Sequence, residues 1–295
     1  MKISILNKHT DKSALGHYIS QVKLFLYDMT CDYPFFGEWL NMAMSELTTG
    51  RREALVLTEE DKPSRLIGLT ILKNDPEEKK ICTIRVAPDF QRQGWGTALI
   101  KKSMEILGTD KPLITVSNKH IDVFKAFLKQ FDFRVVNKVK SLYHIGEYEY
   151  FFNVPYVHRN VLISIKQQYV EKIISGEKKV EFRRKCFSKD IKRAYIYASA
   201  PVSAVIGYFD VAGLDTESPD NIWQRYADAG GILENDFFKY ANASEMMTAI
   251  RIGKICQFKT KIRLSDLREY GMMSVPQNYC YIDNVMAVKY LAACQ

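Results

Sequence analysis

The chain has 295 residues, 47% of them apolar and 26% charged, and its 42 Lys+Arg exceed its 34 Asp+Glu for a formal net charge of +8. That length predicts two domains, and a near-average globular composition lets each bury a core without disulfide staples. Six cysteines without a C-x-x-C pair and five histidines without an H-x-x-x-H pair predict free thiols and no metal site, and no run of about 18 apolar residues exists to span a membrane. Charges at Lys8 and Asp11 cut short the apolar stretch Ile3–Leu6, which excludes a signal-peptide core and makes the cytoplasm the expected location.

In chain order, Leu15, Tyr18/Ile19, Val22, Phe25/Leu26 and Met29 recur at helical spacing, as do Trp39/Leu40, Ala43 and Leu47. Apolar runs at 54–58 and 66–72, split by the turn-forming 61–64, read as a hairpin, and 81–86 as a third strand. A helix over about 96–107, a strand at 113–116, a helix carrying Ile121, Phe124, Phe127/Leu128 and Phe131, and strands at 133–139 and 148–152 complete an α+β order. The pattern breaks at Pro155, and we place one domain at 1–153 and another at 160–295. The second reads as a strand at 161–165, a helix at 168–175 stopped by Gly176, and strands at 180–183, 194–198, 205–211, 255–262 and 279–282. Helices near 222–229 and 236–240 interrupt these strands. Many short strands and few long helices predict a small β-barrel with helices at its ends.

The segment Ile84-x-Val86-x-Pro88, followed by Gln91-Arg92-Gln93-Gly94-Trp95-Gly96-Thr97, runs from a strand directly into a helix. Glycines there let backbone approach a ligand and leave first-turn amides free to meet an anion. A lone G-x-G is equally compatible with a simple turn. In its helix–helix–meander setting, however, the segment resembles the GNAT acetyltransferase superfamily over about residues 1–153. That resemblance implies acetyl-CoA bound by Ile84, Val86 and the 91–97 loop, with Asn118 near the cofactor or serving as a helix cap. It also implies an amine acceptor and a tyrosine acid. The tyrosine position falls on Leu128 of Leu128-Lys129-Gln130-Phe131-Asp132-Phe133, so Tyr143 is the substitute candidate, and no base is assignable.

Residues 178–193 concentrate charge: Lys178, Lys179, Arg183, Arg184, Lys185, Lys189, Lys192 and Arg193 face only Glu181 and Asp190. Alternation puts Val180 and Phe182 on one strand face and Lys179, Glu181 and Arg183 on the other, a pattern common on solvated surfaces. Together with Tyr197-Ala198-Ser199-Ala200-Pro201, Gly207 and Pro276-Gln277-Asn278-Tyr279, the stretch 175–184 resembles the ASCH domain, a relative of the PUA fold. The resemblance implies a cleft for RNA or a modified nucleoside at Lys166, Lys178, Glu181, Arg183, Arg184, Ser199, Gln277 and Tyr279. Some small ASCH proteins are acetylcytidine amidohydrolases, for which Lys178 matches the lysine but Glu181 replaces a threonine.

The expectation is an acetyl-CoA-dependent N-acetyltransferase domain, acting on an amine acceptor, fused to an RNA- or nucleotide-binding ASCH domain. The alternatives are a non-catalytic, acetyl-CoA-sensing RNA-binding regulator, or amidohydrolase chemistry in the second domain.

Overall fold

A computed structural model describes residues 1–60, 65–76, 78–187, 190–270, 272 and 274–293. The expected turn at 61–64, Lys189 of the basic run and Cys294 lie outside the described residues. The chain forms two compact units, Met1–Tyr156 and Val157–Gln295.

The first unit runs β1 (Lys2–Leu6), α1 (Lys12–Phe25), a 3-10 turn at Tyr27–Cys31, α2 (Phe36–Glu46), β2 (Arg52–Thr58), β3 (Leu66–Asn74) and β4 (Lys79–Val86). It continues with α3 (Trp95–Leu107), β5 (Leu113–Ser117), α4 (Ile121–Gln130), β6 (Val135–Lys140) and β7 (Tyr148–Phe152). The sheet order is β1-β2-β3-β4-β5-β7-β6. Alternation on β2 and β3 explains the three layers. Ala54, Val56, Leu69 and Ile71 pack under α1 and α2, while Leu55, Leu57 and Ile67 meet Leu99 of α3 on the opposite face. Ile100, Leu107 and Leu128 extend that second core to Ile114, Val116 and Phe152.

All sheet pairs are antiparallel except β4 with β5, which holds only Lys80 opposite Leu113 and Ile81 opposite Ile114. The β3–β4 register shifts between Ile71 and Leu72, which leaves Cys82 of β4 without an opposite residue. From that bulge onward β4 leaves β5, and among the described residues no pair joins them past Ile81.

The second unit runs β8 (Asn160–Ile165), α5 (Gln167–Ile174), β9 (Val180–Arg183), β10 (Arg193–Ala198), β11 (Ala204–Glu217), α6 (Pro219–Gly230) and α7 (Glu234–Ala241). There follow β12 (Met247–Arg263), α8 (Leu264–Leu267), β13 (Tyr279–Tyr281) and α9 (Val285–Ala293). Its sheet order is β13-β8-β10-β11-β12-β9, with β8 and β10 parallel. On β8, Val161, Ile163 and Ile165 face one core, while Leu162 faces another completed by Ala287 and Leu291 of α9. The sheet curls until its two ends are joined by a side chain: Arg183 of β9 donates to Asn278 Oδ1 at 2.7 Å, beside β13, and to the Ser164 carbonyl of β8 at 2.8 Å.

Three of the differences from the sequence expectation have a clear physical reason or place in the sheet. Strand β1 is added at the sheet edge, pairing Lys2–Leu6 with β2. Strand β12 starts at Met247 rather than 255, because the long β11 and β12 pair through three register shifts that take up residues such as Gly253 without breaking the ladder. Helix α9 has little polar face, so its helical period is weak in the sequence.

Gly207 sits at one of those shifts, where a Cβ would lie 2.3 Å from the Cys256 carbonyl oxygen and 3.0 Å from Gln257 Cα. Gly207→Ala is therefore expected to cost at least about 1–3 kcal/mol, read as a lower urea midpoint; an unchanged midpoint would refute the close approach.

Candidate functional site

Helix α3 starts at Gly94, whose φ of +86° is a left-handed conformation that a glycine adopts without strain. Nothing lies within 4 Å of where its Cβ would be, so the helix mouth is open. The first amide to donate back along the helix is Ala98, to Gly94 O at 3.0 Å, and helix geometry leaves the preceding first-turn amides without intrahelical acceptors. Gln91, Arg92 and Gln93 are exposed. The Gln91 amide donates to Val86 O at 3.0 Å and that of Gln93 to Asp89 O at 3.0 Å, so both side chains brace the loop. Thr97 hydroxyl donates to Gln130 at 3.3 Å. Ile84 and Val86 are half-buried beside Trp95, whose indole N–H is buried without an acceptor among the described residues. Loop and strand thus converge on the side of β4 that has left β5.

Asn118 follows β5 and ties it to β7: its side-chain oxygen accepts from Tyr148 N at 3.0 Å and its own N–H donates to Tyr148 O at 2.9 Å. It is not the cap of α4, a position held by His120. Leu128 is 4% exposed inside the α4 core, so the position at which a tyrosine acid is expected has been turned over to packing.

A concavity lined by Asp32, Tyr33, Ser117, Tyr143 and Glu149 opens beside the end of β5. Glu149 of β7, opposite Ser117 in the ladder, lines it at 2% exposure, with Oε1 lacking a hydrogen-bond partner among the described residues. Burial raises this carboxyl from its ordinary 4.5 to about 7, against the smaller opposing pulls of a Thr115 hydrogen bond and the Lys80 charge. Tyr143 and Tyr33 stand in the same concavity with rings edge-to-face at 5.2 Å. Burial, reinforced by the Glu149 charge, pushes both phenols above their ordinary range, so they stay protonated. Tyr143 is thereby brought together with a carboxylate that sequence reasoning did not single out. The legible signal for Glu149 was a lone acid at a core-facing position of Tyr148-Glu149-Tyr150-Phe151-Phe152, on the same strand face as buried Phe151.

In the second unit the basic stretch divides. Lys178, Glu181 and Arg183 are 2%, 7% and 7% exposed, which corrects the expectation of a solvated strand face. Glu181 accepts from both cations, Lys178 at 3.3 Å and Arg183 at 2.9 Å. Lys178 also donates to Gly230 O at 2.6 Å, the negative C-terminal end of α6, and lies over the rings of Tyr169 and Phe182. Burial holds the Lys178 amine below its ordinary range, while the Glu181 charge works the other way. With Arg183 committed to Glu181, Asn278 and Ser164, the phosphate grip expected of its fork is spent inside the protein. Arg193 likewise faces Asp210 at 3.3 Å and stacks on Tyr208 at 3.8 Å.

Exposed cations of this stretch are Lys179, Arg184, Lys185 and Lys192, with Lys166 and Gln277 exposed elsewhere in the unit. Arg184 lies 5.3 Å from the Tyr240 ring centre. Ser199 N donates to Ile165 O at 2.9 Å, and Tyr279 donates its hydroxyl to Cys186 O at 3.1 Å while packing edge-on against Phe187. The expected ligand residues therefore separate into a buried ion cluster and an exposed basic rim. Among the described residues no group of His, Cys, Asp or Glu is arranged to hold a metal, and no helix is long and apolar enough to cross a membrane.

Comparison with known proteins gives each unit a class. Residues 23–118 match the acetyltransferase (GNAT) family, and residues 159–278 match DUF365, a domain of unknown function. The chain is 30% identical over 92 residues to the ASCH domain-containing ribonuclease of Zymomonas mobilis, 31% of this chain and 62% of that one. It is 22% identical over 125 residues to the ATP synthase subunit alpha of Ureaplasma parvum, 42% of this chain and 15% of that one. The chain thus spans less than two thirds of either relative. The crystal structure of ASCH from Zymomonas mobilis superposes with a TM-score of 0.43 and 26% identity over 46% of this chain and 94% of that one. The protein is a fusion of a GNAT-type domain with an ASCH-like domain.

Two outcomes follow from the burial of these charges. In the unfolded chain Glu149 ionises near 4.5, in the folded protein near about 7. Stability is then fullest below the lower value and falls as pH rises to the upper one, by about 3 kcal/mol at about 1.4 per pH unit. Glu149→Gln is expected to flatten thermal unfolding profiles between pH 5 and 8 and to exceed the parent in stability at pH 8; an unchanged slope refutes the assignment. Glu181→Gln strands two buried cations and is expected to cost about 3–5 kcal/mol in urea unfolding, whereas Arg184→Ala stays within about 0.5 kcal/mol of the parent.

Proposed function

We propose that the GNAT-type domain transfers acetyl from acetyl-CoA to an amine. The observation that carries this reading is the separation of β4 from β5 after two pairs, with an open glycine-started helix on one side and a buried carboxyl on the other. The residues present fit the cofactor: space stands open at Gly94, first-turn amides are free, and 91–97 contains no acidic side chain to repel a pyrophosphate. The 91–97 loop would hold the pyrophosphate, and the backbone of Ile84 and Val86 the pantetheine arm. Bound there, acetyl-CoA supplies an acetyl thioester as acyl donor.

The chain's own contribution is proton handling. An amine must lose a proton to become nucleophilic, and Glu149, ionising near about 7, is poised to accept it on Oε1 at neutral pH. Tyr143 keeps its phenolic proton under the same conditions and can donate it from Oη, the role left open by Leu128. Both groups line one concavity, where a fixed dipole acts more strongly than in bulk solvent.

Free-thiol release from acetyl-CoA, followed with a panel of amines, tests this reading. Gly94→Trp is expected to abolish release by filling the helix mouth. Glu149→Gln should lower kcat/KM by about 10²–10⁴-fold, and the parent profile should rise through about pH 7. Tight cofactor binding without release on any amine would instead support the acetyl-CoA sensor.

For the ASCH-like domain we infer RNA binding at the exposed basic rim, a reading supported by the ribonuclease name of the Zymomonas relative and by Arg184 lying over Tyr240. Affinity of the full chain for a short RNA should fall steeply between 50 and 200 mM salt and fall further in Lys166→Ala and Arg184→Ala; no binding at low salt overturns it. The acetylcytidine hydrolase alternative requires a participating Lys178 amine, and that amine is engaged with Gly230 O and Glu181.

A further inference from the structure

We propose that His144 is a positioning residue: it latches Asp32 and Tyr33 over Glu149, and an amine meets that carboxyl only when the latch opens. The inference rests on the acetyl-transfer reading and concerns entry to that same site.

The walls around Glu149 leave almost no room. Its side chain belongs to a residue 2% exposed, and the space enclosed beside it is about 10 Å³, the lower limit for one water molecule. Yet Oε1 has no hydrogen-bond partner among the described residues, and the nitrogen of an acceptor must come within hydrogen-bond reach of it to give up a proton. One wall therefore has to move. Ser117 and Tyr148 are held in the sheet ladders. The loop 141–147 is bonded to itself, with Ser141 N donating to Glu147 O at 2.7 Å and Gly146 N to Ser141 Oγ at 3.0 Å. The segment 32–35 has no ladder. It runs from the 3-10 turn, where Arg85 of β4 donates to both carboxylate oxygens of Asp28, to the start of α2. Phe35, at its end, has a φ of +60°, a left-handed conformation that a bulky side chain keeps only when its surroundings impose it.

Two contacts across more than a hundred residues fasten this segment to the loop. His144 Nε2 donates to the Asp32 carbonyl oxygen at 2.7 Å, and Tyr33 meets Tyr143 edge-to-face at 5.2 Å. The hydrogen bond is the directional one, and because it is made to backbone it fixes where Tyr33 stands; Tyr33 in turn shares a hydrogen bond with Ser117. The surrounding charges are engaged elsewhere. Lys119 pairs with Glu147 at 2.7 Å, and His120 Nε2 lies 3.6 Å from the Asp32 carboxylate, a charge pair only when the imidazole is protonated. Lys138 and Lys140 lie over the Tyr148 ring, and Lys80 acts on Glu149 from β4 as a secondary charge. None of these ties 32–35 to the loop, so the latch falls to His144. A site open only part of the time binds with an affinity reduced by that fraction, so a weaker latch lowers the apparent KM of the amine.

Carbodiimide coupling of methylamine to Glu149, mapped by mass spectrometry on the full chain without cofactor, reads access directly. Coupling should be at least tenfold faster in His144→Ala than in the parent. In His144→Gln, whose side-chain amide can still donate to the Asp32 carbonyl, it should stay within twofold of the parent. His144→Asn, whose amide falls short, takes the place of His144→Ala if that variant does not fold. In thiol release with the panel amine of highest kcat/KM, His144→Ala should lower the amine KM at least threefold and leave the acetyl-CoA KM within twofold, with His144→Gln restoring the parent value. Rapid coupling in the parent, equal coupling in parent and His144→Ala, an amine KM that does not fall, or a Gln variant that behaves like Ala overturns the latch while leaving acetyl transfer standing. Absence of release with every amine, despite measurable acetyl-CoA binding, strikes the acetyl-transfer reading, and the coupling rates then decide the latch on their own.

Discussion

The first domain is organised by a strand pair that stops pairing. Parallel neighbours in a sheet normally continue their ladder, because each lost pair leaves a buried N–H and C=O to be satisfied otherwise. Here β4 and β5 part after Lys80–Leu113 and Ile81–Ile114, and the bulge at Cys82 marks the point of departure. Different helices cover the two strands: Leu99 of α3 packs on Leu55, Leu57 and Ile67, while Leu128 of α4 packs with Ile114 and Phe152, and α3 reaches both groups through Ile100 and Leu107. The backbone groups released by the separation are open to partners outside the ladder. The gap is therefore a stored hydrogen-bonding capacity, maintained by packing on either side of it.

Much of this was legible before any coordinates. Helical spacing in α1 to α4, the meander of β2 to β4, and the strand-to-helix run at Val86–Thr97 each declare themselves locally, because apolar period and glycine placement are properties of a few adjacent residues. What resisted reading was long-range. The departure of β4 from β5 depends on which of two distant helices packs where, and no window of sequence contains it. Strand β1 and the first half of β12 are recruited by pairing with partners far along the chain. Glu149 was hidden for the same reason, since its character comes from burial in a concavity whose other walls include Tyr33, more than a hundred residues before it.

The second domain shows how charge counting misleads when burial is unknown. Eight cations between 178 and 193 suggested one basic surface, yet Lys178 and Arg183 close around Glu181 in the interior. Removing three charges from water is costly, and the cluster is tolerable because each member has several partners: a helix-end carbonyl for Lys178, two cations for Glu181, an amide and a carbonyl for Arg183. Such a cluster is more demanding of geometry than an apolar one and fixes α6, β8 and β9 in a single mutual arrangement. The electrostatic surface available to a polyanion is correspondingly smaller than the composition implies, and it consists of long side chains that remain hydrated.

Arg183 also sets an order in time. Its partner Asn278 lies ninety-five residues further along, so during synthesis the guanidinium and its neighbours Lys178 and Glu181 exist long before the amide that completes their cage. Until residue 278 has left the ribosome, β9 can reach the far end of its sheet only through the Ser164 carbonyl, and the Asn278 half of the seam is unfinished. Closure of that seam thus waits for the same stretch of chain that supplies β13 and its pairing with β8.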